Sequence, residues 1–424
     1  MRKLLIVLLI LPMFAFAQRG KVVLISLDGF PANALEDPKS PIPTLRKLIA
    51  GGTGGPMTGI NPTITWPNHT TMVTGVTADV HGLLLNGAIV HTGSWPPVKV
   101  DSTVDKEKLV KVPTVYDAVF RAGMTTAQID WVAINNAPTI TWAFPEMAVP
   151  AGAVEREMVS KGILSTADLT DFAKANIVFR DQVWTTAAAY LIREHKPDLT
   201  MFHLLSLDST EHEYGPATLG SRAAMGFLDG CVAQIVAAVH DAGMDANTTI
   251  LVVSDHGFKA FTKQIRATNA LQAAGLDKKV YVLPEGGSGF VYVDQPDLIV
   301  KAREVLATVE GVDHIYGPDE YGALGLPRPE RDPQFGQLFV TAKAGYSFSG
   351  TVGGPATAAV PQIGGSHAYL ASDPDLHPIF IAKGYGVRKG VQLGLVSNLD
   401  VASTIAKLLG VSLPSAKGKP ILLQ

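Results

Sequence analysis

Six side chains in this sequence are of the types that hold a divalent metal: Asp28, Asp208, His212, Asp255, His256 and His367. Each stands where a strand-like run breaks into a loop, or in a glycine-rich turn. Three carboxylates and three imidazoles suffice for two ions with three protein ligands each. Three ligands and an open position are the pattern of a catalytic zinc, whereas a structural zinc is closed by four. The imidazoles favour Zn²⁺ over Mg²⁺, which prefers oxygen ligands alone. Two such ions side by side suit in-line displacement at phosphorus. Asp208 and His212 are four apart, so a helical turn would put both on one face. Asp255 and His256 are adjacent and can converge from a loop. His367 follows Gly364-Gly365-Ser366, a backbone open to close approach.

A nucleophile is available in the stretch NPTITWPNHTTMVTG, residues 61–75. Thr65 is expected in an extended loop, because Trp66 precedes Pro67 and a residue before proline is pushed out of the helical region. A short helix is then expected from about Asn68, with N-terminal N–H groups available to a phosphate. A free threonine hydroxyl is too weak a nucleophile on its own; a zinc ion that lowers its pKa would activate it.

The surrounding periodicity supplies a scaffold. Runs 21–27, 125–131, 199–207 and 248–254 read as buried strands, and 43–50, 113–122, 180–195 and 220–242 read as helices. Strand and helix alternating at this spacing imply an α/β fold, a mostly parallel sheet with helices on both faces. Three of the strand-like runs end at Asp28, Asp208 and Asp255, and ligands of open α/β sheets bind at the carboxyl ends of strands. Between residues 260 and 363 the texture changes: short strands at 289–294, 312–316 and 337–342, a helix at 298–310, and dense Pro and Gly. This reads as a small α+β cap inserted into a main domain that spans 18–259 and resumes over 364–424, with a strand at 378–382 and a helix at 400–409.

The chain opens with Arg2-Lys3, an uncharged run from Leu4 to Ala17 and the small-residue site Ala15-Phe16-Ala17. This reads as a secretory signal peptide over residues 1–17. The protein is expected to be exported, periplasmic or secreted, after cleavage near Ala17, with no transmembrane segment in the mature chain. The 35 Lys and Arg against 38 Asp and Glu give a net charge of -3, more negative once Arg2 and Lys3 are removed. That balance argues against a stable nucleic-acid complex. The single cysteine, Cys231, cannot form an internal disulfide, so stability must come from the core, which 47% hydrophobic residues can supply.

Thr63-Ile64-Thr65-Trp66-Pro67-Asn68-His69, then Thr74-Gly75 and His81-Gly82, resembles the nucleophile segment of the nucleotide pyrophosphatase/phosphodiesterase family of the alkaline phosphatase superfamily. Leu27-Asp28-Gly29-Phe30 resembles its first metal motif, Asp208 to Pro216 (DSTEHEYGP) its D-x-x-x-H-x-x-G-P motif, Ser254-Asp255-His256-Gly257 its S-D-H-G motif, and Gly365-Ser366-His367 its last ligand motif. The order and rough spacing match over nearly the whole mature chain.

The resemblance implies an alkaline phosphatase-like fold and two Zn²⁺ per chain. Asp208, His212 and His367 would hold one ion. Asp28, Asp255 and His256 would hold the other, with Thr65 contacting it as nucleophile. Asn86 matches the asparagine that donates to a non-bridging phosphate oxygen. The implied activity is hydrolysis of phosphodiester or phosphoanhydride bonds through a covalent phospho-threonine, on a small-molecule phosphodiester, foremost a nucleotide. Trp66 or Trp131 could stack on a base.

Three departures stand out: Ala368 follows His367 where glycine is usual, Trp66 stands where phenylalanine is frequent, and His203 lies near a strand position commonly held by a base-stacking aromatic. His203, like His69 and His81, otherwise reads as structural.

Charge leans towards diesters. Two divalent ions are balanced by three aspartates and a threonine alkoxide, and residues 50–98 contain no Lys or Arg to meet the second charge of a monoester; Arg180 or Arg266 could enter from elsewhere. A phosphonoacetate hydrolase-like or phosphomonoesterase member of the superfamily is the nearest rival, and a non-enzymatic exported protein stabilised by zinc the remote one. Thr65 argues against a sulfatase, which needs Cys or Ser at that position.

Overall fold

The computed structural model describes residues 20–423. The signal peptide read over residues 1–17, with its cleavage site, lies outside the described residues. The centre is a nine-stranded sheet. Its principal strands are β1 (Lys21–Leu27), β2 (Thr53–Thr58), β3 (Thr126–Ile129), β4 (Trp142–Phe144), β5 (Leu199–Leu204), β6 (Thr248–Val253) and β7 (Ile379–Gly384). They lie in the order β2-β7-β6-β1-β5-β3-β4, and the short strands Val391–Gln392 and Val396–Ser397 pair with β2. β6, β1, β5, β3 and β4 are parallel to one another. β7 alone runs antiparallel to its neighbours β6 and β2.

Helices cover both faces, as an apolar β1 without a polar side requires. They include α1 (Pro43–Ala50), α2 (Thr65–Thr74), α3 (Ile177–Glu194), α4 (Ser206–Tyr214), α5 (Leu219–Asp241) and α6 (Leu399–Leu409). Val23, Ile25 and Leu27 of β1 share a core with α1, α3 and α5. Val22 and Leu24, one pleat away, share the other core with α2 and α6. α5 is long and apolar enough to cross a membrane by composition alone. Here it buries Ala224, Met225, Leu228, Cys231, Val232, Ile235, Ala238 and Val239 against the sheet side of the fold.

Residues 280–342 form a separate four-stranded antiparallel sheet of Val280–Glu285, Ser288–Val293, Leu338–Ala342 and Val312–Tyr316. One face packs with helices Ala267–Ala273 and Ile299–Ala307. The other brings Phe290, Tyr292 and Phe339 onto Ile60, Ile64, Leu84 and Leu85, so it presses on the segments that flank Thr65. The Pro- and Gly-dense stretch before His367 carries more order than its composition suggests. Strand Thr357–Ser366 pairs with Lys259–Ile265, which also pairs with Gly345–Phe348.

Candidate active site

Parallel register gathers the acidic residues. Leu27 lies beside Leu204, and Ser26 beside Val253. The chain therefore leaves β1 and β6 at one edge, with Asp28 and Asp255 just beyond. Gly29 between them is at φ 72°, and its N–H donates to Asp255 Oδ1 at 3.1 Å. A Cβ there would meet the Phe258 ring at 2.6 Å, so backbone conformation and packing both require glycine.

Asp208 does not lie at a strand end as expected. β5 stops at Leu204, and Asp208 sits in the first turn of α4. The cause is non-local: buried Asp181 of α3 caps α4, accepting from Leu205 N–H at 3.0 Å and Ser206 N–H at 2.8 Å. His212, one turn on, brings Nε2 to 3.5 Å from Asp208 Oδ1. His367 does not sit in a flexible turn either. Gly364, Gly365 and Ser366 are paired in a strand, and a Cβ on Gly365 would collide with the Glu211 carbonyl of α4. Ala368, next in the chain, takes φ 65°, a left-handed conformation that glycine adopts at less cost.

Thr65 also departs from its expected loop. α2 begins at Thr65, not near Asn68. Pro67 falls in the first turn, where its missing N–H has no intrahelical partner to lose. Asn68, fully buried, folds the preceding loop onto the helix. Its Oδ1 accepts from Ile60 N–H at 2.8 Å, and its Nδ2 donates to the Pro62 and Ile64 carbonyls, each at 3.0 Å. The Thr63 carbonyl then accepts from Ala368 N–H at 3.0 Å and faces His367 Nδ1 at 2.9 Å. The nucleophile segment and the last candidate ligand are thus tied to each other.

The six candidates and Thr65 converge. His256 Nε2 lies 3.5 Å from Asp28 Oδ1, 3.2 Å from Asp255 Oδ2 and 3.5 Å from Thr65 Oγ1. The His256 and His367 rings stack at 3.9 Å, and His212 meets His367 edge-on at 5.1 Å. Two three-residue groups have ligand atoms within 4.8 Å of one another: Asp28, Asp255 and His256, and Asp208, His256 and His367. His256 thus stands close to both clusters, while His212 flanks the second.

Asp28 Oδ1, Asp208 Oδ1 and Asp255 Oδ2 are buried without a hydrogen-bond partner among the described residues. Burial, reinforced by Asp255 and Asp208, pushes Asp28 well above the usual carboxylate range. Burial likewise pushes Asp208 up to about 6. His256 is held down at about 3 by burial and by His212, and His367 is lowered by burial and by His256. Crowded carboxylates with orphaned oxygens beside neutral imidazoles form a donor set that fits divalent cations.

Asn86 Oδ1 accepts from Trp66 N–H at 3.0 Å, which fixes the amide and leaves its NH₂ free to donate elsewhere. Trp66 is half-buried beside the Leu83–Leu109 cluster. Trp131, read as a possible base-stacking residue, instead belongs to the core: it is 4% exposed and packs edge-on against His69 at 5.0 Å. His69 bonds the Thr65 carbonyl at 2.9 Å through Nδ1, the structural role expected of it.

His203, read as a structural residue near a base-stacking position, brings its Nε2 to 3.0 Å from Asp28 Oδ2. Burial opposes protonation of this ring, but hydrogen bonds to Asp130 and Asp28 outweigh it and lift the pKa well above the ordinary histidine value. The sequence signals were a histidine amid the apolar run of β5 and its departure from the usual aromatic there, and neither points to Asp28. Among the described residues no Lys or Arg pairs with Asp28, Asp208 or Asp255. Arg180 lies over the Trp184 ring, and Arg266 bonds the Gly353 carbonyl.

The architecture and this constellation define an alkaline phosphatase-like α/β protein with candidate metal-binding groups at the strand edge. The chain belongs to the type I phosphodiesterase / nucleotide pyrophosphatase family, whose profile matches residues 22–370. The members it resembles are named as hydrolases of phosphodiester bonds. It is 22% identical over 417 residues to ectonucleotide pyrophosphatase/phosphodiesterase family member 7 of Rattus norvegicus, spanning 96% of this chain and 87% of that protein. It is 23% identical over 248 residues to the venom phosphodiesterase of Macrovipera lebetinus, spanning 57% of this chain but only 26% of that longer protein. Murine ectonucleotide pyrophosphatase / phosphodiesterase 5 superposes with a TM-score of 0.74 at 18% identity, covering 94% of this chain and 97% of the other. An inactive variant of that murine protein, solved in complex with AMP, gives a TM-score of 0.72 at 18% identity over 94% of this chain and 97% of the other.

Proposed function

We propose that this protein is an exported phosphodiesterase/nucleotide pyrophosphatase that holds two zinc ions and works through a covalent phospho-threonine. One observation carries the reading: Thr65 Oγ1 stands at 3.5 Å from His256 Nε2, at the edge of a cluster whose three aspartates each keep an unpartnered buried oxygen. Asp28, Asp255 and His256 would hold one ion, and Asp208, His212 and His367 the other. When bound, the ions supply Lewis-acid charge for the attacking and leaving oxygens.

The chain's own groups do the rest. α2 and the Asn68 bonds hold the Thr65 hydroxyl in place. Thr65 Oγ, its proton released to solvent, attacks phosphorus, and the Oγ–P bond forms as the leaving oxygen departs with its electron pair. Asn86, oriented by Trp66 N–H, donates from Nδ2 to a non-bridging oxygen. Water then cleaves the Oγ–P bond and restores the hydroxyl. Among the described residues no Lys or Arg pairs with the three aspartates, which favours a substrate with one negative charge at phosphorus, a diester or a nucleotide pyrophosphate, over a monoester.

The test is Thr65→Ala, with zinc content and turnover measured together. Zinc should stay near two per chain, while hydrolysis of a nitrophenyl phosphodiester falls on the order of 10³-fold or more. Retained turnover would remove Thr65 from the reaction, and a wild type free of zinc would remove the metal assignment. Wild-type turnover on the diester, a phosphomonoester and phosphonoacetate should favour the diester; preference for either of the others would redirect the substrate assignment.

A further inference from the structure

β5 carries a histidine where its neighbours are apolar. His203 is fully buried, in register beside Ser26 of β1. Its two ring nitrogens face oxygen atoms on opposite sides. Nε2 lies 3.0 Å from Asp28 Oδ2; Nδ1 lies 3.1 Å from the Asp130 carbonyl and 3.3 Å from Asp130 Oδ2. Asp130 is itself fully buried and follows β3 at once, with φ 54°, a left-handed conformation unusual for a side-chain-bearing residue. Its N–H is anchored on the Phe144 carbonyl of β4 at 2.9 Å. Its carboxylate oxygens have no hydrogen-bond partner among the described residues apart from the ring they face. A strained, buried aspartate therefore presents both carbonyl and carboxylate to one imidazole, and the imidazole presents its far nitrogen to Asp28. On the other side of Asp28, Oδ1 has no hydrogen bond and points towards His256 Nε2 at 3.5 Å.

From this line of contacts we propose that His203 and Asp130 are positioning residues for Asp28, an outer pair that occupies Oδ2 so that Oδ1 alone is presented to a metal. The proposal rests on the two-metal reading above. The chemistry is general. A ligating carboxylate with two free oxygens can rotate between one-oxygen and two-oxygen binding, and a hydrogen bond from behind removes that freedom and fixes its direction. Loss of such an outer partner typically costs about 10–100-fold in metal affinity. Asp130 does the same for His203: with acceptor oxygens at both nitrogens the ring donates from Nδ1 to Asp130 and from Nε2 to Asp28, and Asp130 fixes the ring plane that aims Nε2. His69 packs edge-on against the His203 ring at 4.5 Å and closes the remaining side.

The test uses the full mature protein and Zn²⁺ alone, titrated in competition with a chelating dye. In His203→Leu and Asp130→Asn, one of the two zinc ions should bind about 10–100-fold more weakly while the other keeps its wild-type affinity. His203→Gln, which retains a donor towards Asp28, should recover part of the loss. Asp130→Asn keeps side-chain volume and the backbone carbonyl, so it carries the test if His203→Leu does not fold. Thermal melts of the zinc-free variants separate a merely structural role: a lowered melting temperature with both zinc affinities unchanged overturns the proposal. Two zinc ions in the wild type with unchanged affinities in every variant overturn it while leaving the two-metal reading intact. A wild type that binds no zinc overturns both.

Discussion

Replacing Asn68 with alanine should cost stability and activity together. The side chain is fully buried and makes four hydrogen bonds of 3.0 Å or less: Oδ1 accepts from Ile60 N–H at 2.8 Å and from Asn398 Nδ2 at 2.9 Å, and Nδ2 donates to the Pro62 and Ile64 carbonyls at 3.0 Å each, with a longer one to the Ile60 carbonyl at 3.5 Å. At about 1 kcal/mol net per bond, with buried donors left unpaired by truncation, the expected loss is about 4 kcal/mol. Asn398→Ala removes only one of these bonds, so it should cost about 1–2 kcal/mol. The double variant should lose less than the sum, because the two residues share a bond. The assay is urea unfolding followed by tryptophan fluorescence, with wild type and variants at equal zinc. Turnover should fall about 100-fold, since the loop that sets the Thr65 hydroxyl is released and misplacement on the order of 1 Å has that effect. A stability loss below about 1 kcal/mol, or unchanged turnover in a destabilised variant, would refute the claim that Asn68 is what holds the nucleophile segment.

Further outcomes follow from the charges and the backbone. In zinc-free protein, Asp28 and Asp208 have folded pKa values raised above their unfolded ones, so their ionisation opposes folding. The melting temperature of chelator-treated protein should therefore fall as pH rises from about 4, the unfolded carboxylate value, with the Asp208 share of the fall complete just above its folded value of about 6, and the stabilisation by added zinc should grow over the same range; Asp208→Asn should flatten the trend between those two values. Asp117 has the opposite sign: burial pushes its pKa up, but bonds from Lys106, Thr139 and the Thr114 N–H outweigh burial and leave it lowered. Its stabilisation should be full at neutral pH and vanish as pH drops through the folded value below 3.8, so melts of wild type and Asp117→Asn should converge only in acid. Ala368→Gly should change stability by less than about 1 kcal/mol, because relief of the left-handed backbone is offset by the loss of a buried methyl and by greater freedom in the unfolded chain; Ala368→Val should destabilise clearly in the same melts.

Much of this molecule is written locally. Lys21–Leu27 and Pro43–Ala50 read from the sequence with the bounds they have in the fold, because a run of β-branched residues and a proline-started, Gly-Gly-ended helix each signal themselves within a few residues. The candidate metal-binding residues were legible for a related reason: carboxylates and imidazoles declare their chemistry by type, and the motifs around them are short. What the sequence could not decide was every relation that depends on a distant partner. Asp181 caps α4 across the fold, so Asp208 lies on a helix rather than at a strand end. Asn68 and the first-turn tolerance for Pro67 place Thr65 inside a helix rather than in a loop. Trp131 has the composition of a stacking residue and the surroundings of a core one. His203 gains a role only because parallel register sets it beside Asp28, 175 positions away, with Asp130 behind it. Residue type and short-range periodicity follow from covalent neighbours. Which buried polar atoms face one another follows from sheet register and helix docking, where the energies are set by contacts between segments far apart in the chain.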